Sequence, residues 1–215
     1  MPTEKPTRRG RPPSGGREAI LATTLQMLRE RGIARLTTRE VAARAGVAEA
    51  SVYYHYGDRA GLLRAVFAEG LRPLQALAER GIDGPDPVDV MTRLGRAVER
   101  FFDQVLPVLA AAQSDTELRD GLAEYMSAND IGPHRGIRAL GTYLRAEQRA
   151  GRVAAGVDAD AAALMLVGAC FMRAYQRQML GAHTHALPSL DRVVGMLDAL
   201  LTPGRSEEAR VRSGP

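Results

Sequence analysis

The chain has no tryptophan and a single cysteine, Cys170, among its 215 residues. One cysteine excludes an internal disulfide. Its place inside the apolar run Ala161–Met172 marks it as a small core side chain of a reducing compartment, not a redox sensor. That run is the longest apolar one and carries no charge, yet it ends at Arg173, well short of the roughly 20 residues a spanning helix needs. No membrane passage is expected. The opening residues MPTEKPTRRGRPPSGG have no apolar core of the kind a secretory signal requires, so a cytoplasmic protein is expected. Alternating β-branched patterns are missing throughout, which argues against strands. Nucleophile elbow, Walker loop, dinucleotide fingerprint and HExxH are missing too, and the glycines are scattered instead of forming a phosphate cradle. Neither an enzyme nor a cofactor is expected. His183-Thr184-His185 offers two imidazoles in a Gly/Ala loop with no third ligand in reach by sequence, so it reads as a solvated loop and no metal is expected.

What is present is a lopsided charge and a helical period. Residues 1–64 hold one lysine and eleven arginines against six acids, a net +6 that leaves −2 for the rest of the chain's +4. A basic end on a near-neutral body is the footprint of a nucleic-acid contact. Residues 1–16 cannot pack a core and read as a mobile basic arm. Within it, Arg9-Gly10-Arg11-Pro12 resembles the core of an AT-hook, whose extended arginines lie in the minor groove; a solvated basic tail is the other reading.

From Leu36 to Leu63 the spacing is that of two short helices and the start of a third. Thr37 and Glu40 have the spacing of a capping box, with Leu36 and Val41 as a hydrophobic staple. A helix over Thr38–Ala45 should end at Gly46, and a second should run from about Glu49 to Tyr54 with Val52 and Tyr56 inward. Ser51, Tyr53, Tyr54 and His55 are then free to face a partner. Gly57 closes this helix and Asp58 caps the next. Tyr and His donors beside Arg39, Arg44 and Arg59 are what phosphate contacts use, whereas a solvated turn would favour Lys, Glu and Asp.

This segment resembles the DNA-binding domain of the TetR family of bacterial transcriptional regulators, through Thr38, Ala42, Ala45, Gly46, Val47, Tyr53, His55, Tyr56 and Arg59. The resemblance covers about the first third of the chain. It implies phosphate contacts from Thr38, Tyr53, Tyr54, His55 and Arg59, and base reading by Arg39, Glu49, Ala50 and Ser51. Position 48 is Ala where the family often has a Ser cap, a loss of about 1 kcal/mol at that helix start. Position 56 is Tyr where Phe is usual, and position 59 is Arg where Lys is usual.

The remaining pattern is all helix, so the expected fold class is all-α. A three-helix helix-turn-helix domain over 17–64 precedes a helical effector-binding and dimerisation domain over 65–204, and residues 205–215 form a disordered tail. The clearest interruption is Gly81-Ile82-Asp83-Gly84-Pro85, where the linking fourth helix ends. Later helices are expected from about Val88, Glu117, His134, Asp158 and Leu187. The last two look apolar on more than one face, through Leu164, Val167, Gly168, Phe171 and Tyr175, and through Leu190, Val193, Val194, Leu197, Leu200 and Leu201. A second copy of the chain is the economical cover, and the resemblance implies a four-helix homodimer interface. Phe101, Phe102, Tyr125, Tyr143, Met172 and Tyr175 are the candidate lining of a site for a small apolar effector, against the alternative of plain core packing. The resulting expectation is a regulator, most simply a repressor, on a double-stranded palindromic operator with half-sites about 34 to 36 Å apart. A constitutive or architectural DNA-binding protein without effector is the alternative.

Overall fold

A computed structural model of the chain describes residues 16–33, 36–180 and 187–202. The basic arm, the tail and the His183-Thr184-His185 loop lie outside them. Among the described residues the regular elements are all α-helices: α1 (Gly16–Arg31), α2 (Thr38–Ala45), α3 (Glu49–Tyr56), α4 (Arg59–Arg80), α5 (Pro87–Ala112), α6 (Thr116–Ala128), α7 (Pro133–Arg149), α8 (Ala159–Leu180) and α9 (Leu190–Leu201). No described helix is long and apolar enough to cross a membrane. The chain passes from one compact unit to a second between Ala65 and Val66, inside α4 and not at the Gly81–Pro85 turn.

In the first unit, α1 packs on α2 and α3. Its inward side chains are Ile20, Thr24, Met27 and Leu28, while Leu21 and Leu25 are half-buried. The buried Thr24 hydroxyl returns to the Ile20 carbonyl at 2.7 Å, so burying it costs little. Leu62 and Leu63 of α4 are fully buried here. Exposed ion pairs Arg44–Glu30 and Arg31–Glu40 tie α2 to α1, each adding little because both partners are solvated.

The second unit is built on α5, which touches α6, α7, α8 and α9 and runs on as a helix through Pro107. Side-chain oxygens of Asp86, Asp115 and Ser189 cap the starts of α5, α6 and α9. Ser189 explains why α9 starts at Leu190 instead of Leu187. Between α5 and α8 runs an ionic belt: Arg173 pairs with Glu99, both largely buried, and Arg177 reaches Asp103 at 3.0 Å and Glu99 at 3.6 Å. Cys170 is buried beside it and donates to the Gly95 carbonyl at 3.5 Å. Burial, seconded by the charge of Glu99, pushes its thiol up to about 12. A thiol held protonated in this way is inert, as the sequence predicts.

Gly61 gives the tightest backbone constraint in the first unit. A Cβ there would lie 1.9 Å from the Tyr56 carbonyl oxygen, so the first turn of α4 can seat against the end of α3 only if residue 61 has no side chain. Gly61→Ala should therefore destabilise the protein by about 1–3 kcal/mol. Gly136→Ala, in open space on α7, should be neutral or stabilising by up to about 1 kcal/mol. Urea unfolding of the two variants checks both signs.

Candidate nucleic-acid interface

Local chemistry sets the geometry of α2 and α3. The Thr37 side chain accepts from the Glu40 amide at 3.1 Å, the cap half of the box, while the Glu40 carboxylate faces Arg31 at 3.5 Å; Leu36 and Val41 are both buried, as a staple requires. At the other end Gly46 is left-handed, with φ 69°. The Val47 amide bonds the Ala42 carbonyl at 3.0 Å and the Gly46 amide bonds Ala43 at 3.4 Å, the paired closure of a Schellman motif. That closure turns the chain into α3. Ala48 provides no side-chain cap, as its sequence implies.

Helix α3 buries Val52 completely and leaves Tyr53 and Tyr54 exposed, the latter at 80%. Ser51, His55 and Glu49 are half-buried, and Arg39 and Ala50 are exposed. Thr38 at the start of α2 donates to Glu49 Oε1 at 2.9 Å, and its oxygen lies 3.3 Å from the Tyr53 hydroxyl. The threonine has one proton and gives it to the carboxylate, so the tyrosine proton is the one left to share. Two expected phosphate ligands, Thr38 and Tyr53, thus come together with one expected base reader, Glu49. The Thr38–Glu49 link joins residues eleven apart across the turn, and no local spacing rule announces it.

Arg59 faces differently from the expectation. Its Nε donates to the Leu36 carbonyl at 2.9 Å and one Nη reaches the Ile33 carbonyl at 3.4 Å. The guanidinium braces the connection between α1 and α2, because its planar fork spans two carbonyls that a lysine ammonium would meet as a point charge. Tyr56 is likewise more than a packing residue, since its hydroxyl donates to the Arg17 carbonyl at 2.7 Å.

The six expected effector residues are not gathered into one site. Phe101 and Tyr125 meet Phe67 edge-on, with centroids 5.8 and 6.5 Å away, and Phe102 lies 5.2 Å from Phe101. Phe102 in turn meets Phe171 on α8, which stacks on Tyr175. Tyr175 and Met172 are exposed on the outer side of α8. They share a helix face with Phe171 instead of turning inward with Cys170 and Ala174. Tyr143 is buried elsewhere, its hydroxyl donated to the Gly84 carbonyl at 3.0 Å, and burial followed by the charge of Glu147 raises its phenol to about 12. Among the described residues no cluster of three or more His, Cys, Asp or Glu side chains is placed to hold a metal.

Residues 20–66 match the family model described as bacterial regulatory proteins, tetR family. An uncharacterised HTH-type transcriptional regulator of Mycobacterium tuberculosis is 32% identical over 103 residues, 48% of this chain and 51% of that protein. The HTH-type transcriptional repressor BepR of Brucella suis is 29% identical over 88 residues, covering 40% of this chain and 42% of the repressor. The chain thus spans about half the length of the curated relatives it matches. Among solved structures, the SmeT–triclosan complex superposes with a TM-score of 0.66 at 23% identity over 89% of this chain and 94% of that one, a likeness of fold. The helix-turn-helix of residues 20–66 is thus that of the tetR family of bacterial regulatory proteins, and the likeness of fold extends over most of the chain.

Proposed function

We propose that the chain is a sequence-specific DNA-binding transcriptional regulator of the cytoplasm, a homodimeric repressor that a small apolar molecule releases from a palindromic operator. The observation that carries the reading is the outward face of α3. Tyr53 is exposed and already within reach of Thr38, Arg39 stands exposed on α2, and Val52 anchors the opposite side. Tyr and Thr hydroxyls then anchor phosphates, while Arg39, Glu49, Ala50 and Ser51 are placed to read base edges in a major groove. BepR is named a repressor, which supports the sign of regulation.

The dimer reading rests on α8 and α9. Leu190, Val194, Leu197 and Leu201, expected on the partner-facing stripe, are instead buried within the chain itself. The exposed apolar residues include Leu164, Met165, Phe171, Met172, Tyr175, Met179 and Leu180 of α8, and Met196 and Leu200 of α9. Between the two helices lies an open groove of about 580 Å³, lined by Met165, Ala169, Val193, Met196 and Leu200 among others. A second copy would cover this apolar surface, which a monomer rarely leaves in water.

For the effector, the supporting feature is the cluster of Phe67, Phe101 and Tyr125. Phe67 lies on α4, whose first residues belong to the reading unit, so a ligand that repacks the cluster can bias two positions of that helix. SmeT, a structure of the same fold, is a complex with triclosan, so a small molecule is held on this fold in that protein.

Three outcomes test the reading. Tyr53→Ala should weaken binding to all duplexes by about 1–3 kcal/mol, while Arg39→Ala and Ser51→Ala relax preference at single base positions. Affinities on single-base variants of a duplex recovered from retained genomic fragments decide between anchor and reader. Met196→Asp should break the dimer and weaken operator binding by about 10² or more through lost avidity, whereas Leu197→Asp should unfold the protomer. Light scattering with thermal melting separates the two. A thermal-shift screen of apolar compounds should find ligands that stabilise the protein, by about 2.7 kcal/mol at a hundred times Kd, and release the duplex. Stabilisation that leaves DNA affinity unchanged would favour the constitutive binder.

A further inference from the structure

We infer that Glu49 makes one phosphate anchor conditional on the base it faces: its carboxylate holds the Thr38 hydroxyl in the free protein and releases it to phosphate only where a cytosine amino group takes the hydroxyl's place. The inference rests on the DNA-binding reading above and deepens it, by naming a base and coupling that base to an anchor. Three side chains in a row carry it. Thr38 is the first residue of α2 and Glu49 the first of α3, and the Thr38 hydroxyl donates to Glu49 Oε1 at 2.9 Å. The Tyr53 hydroxyl lies 3.3 Å from the same Thr38 oxygen. Tyr53 is exposed, whereas Thr38 and Glu49 are half-buried.

The two hydroxyls differ in what each leaves behind when it turns to DNA. Each has one proton to give, and phosphate oxygens only accept. Tyr53 can turn its proton to a phosphate at little cost, because the Thr38 oxygen it leaves is uncharged and Thr38 is still bonded to Glu49 through its own proton. Thr38 has no such freedom. Giving its proton to a phosphate strips a half-buried carboxylate of a donor and brings a second anion close to it, so another donor must replace the hydroxyl. In the major groove the base donors are the amino groups of cytosine and adenine. Adenine presents its N7 acceptor beside the amino group, where it would meet the carboxylate's second oxygen, and cytosine N4 does not. Glu49 therefore accepts from cytosine N4, Thr38 is released to the phosphate that the start of α2 favours, and on other bases the Thr38–Glu49 bond stays closed. Tyr53 anchors on every duplex and Thr38 on the right one.

The test uses full-length proteins: parent, Glu49→Ala, Thr38→Val and the double variant. Each is titrated in about 150 mM KCl against random duplex and against a duplex recovered from retained genomic fragments, with every half-site position changed in turn to each other base. The parent should prefer cytosine about tenfold at one position per half-site, and Glu49→Ala should abolish that preference while binding random duplex about three- to tenfold more tightly. Thr38→Val should weaken binding about fivefold on the cytosine duplex and less than about twofold with thymine in its place. In the Glu49→Ala background the hydroxyl is free on both, so Thr38→Val should then weaken both equally. Loss of a negative charge alone would also tighten random binding, but Thr38→Val would then weaken the parent equally on cytosine and thymine. That result overturns the inference. So does weaker binding of Glu49→Ala to random duplex, which would make the bond only a brace between α2 and α3, and so does a parent preference for any other base. Thermal melting reports folding, and the near-isosteric Glu49→Gln serves if the alanine variant is unfolded. It should move the preference from cytosine to adenine, whose N6 and N7 suit a side-chain amide, and an unmoved preference overturns the inference too. If the parent retains no genomic duplex above random DNA, the DNA-binding reading fails and takes the inference with it; retention with any overturning result removes only the role of Glu49.

Discussion

Val52 is the constraint on which the reading surface depends. Helix α3 has eight residues, too few to be stable alone, and it buries one side chain fully. Orientation about that single buried valine decides which residues face outward. Were α3 rotated by one residue, Tyr53 would enter the core and the exposed row would be lost. Several contacts stop that rotation: the Schellman closure at Gly46, the Thr38–Glu49 bond, the Tyr56–Arg17 bond and the close seating of Gly61 on the Tyr56 carbonyl. Each contributes about 1 kcal/mol or so, and together they hold a short helix rigid while most of it is in solvent.

The first unit was legible in the sequence because its determinants are local. Thr37 with Glu40, Leu36 with Val41, and Gly46 with Val47 lie within a few residues of one another, and each forms the cap or closure that its spacing implies. Non-local chemistry was not legible. Arg59, expected on phosphate from the family resemblance, has its guanidinium bonded to the carbonyls of Leu36 and Ile33, 23 and 26 residues earlier. Glu49, expected as a base reader, also accepts from Thr38 once α2 and α3 are placed together.

In the second unit the helices were legible but their faces were not. A helix such as α8 is apolar nearly all round, so a period of 3.6 names two candidate faces without saying which one meets α5. The inward face carries the small Ala162, Ala163, Cys170 and Ala174 together with Leu166 and Val167, while Leu164, Met165, Phe171, Met172 and Tyr175 remain outside. Met172 and Tyr175, expected in the apolar lining of an effector site, lie on the outer side.

The ionic belt completes that argument. Glu99 and Arg173 are 15% and 18% exposed, so neither could be left alone without stranding a charge at low dielectric. Arg173 also donates to the Pro188 carbonyl just before α9, and Arg177 spans Glu99 and Asp103 on α5. A buried pair of this kind adds little net stability, but it penalises any other rotation or slip of α8 by several kcal/mol. The belt and the small inward residues therefore select the same register, and that register puts the methionine-rich and aromatic side of α8 outward. The apolar surface proposed to join two copies is thus a consequence of how the charged side of the same helix is satisfied within one.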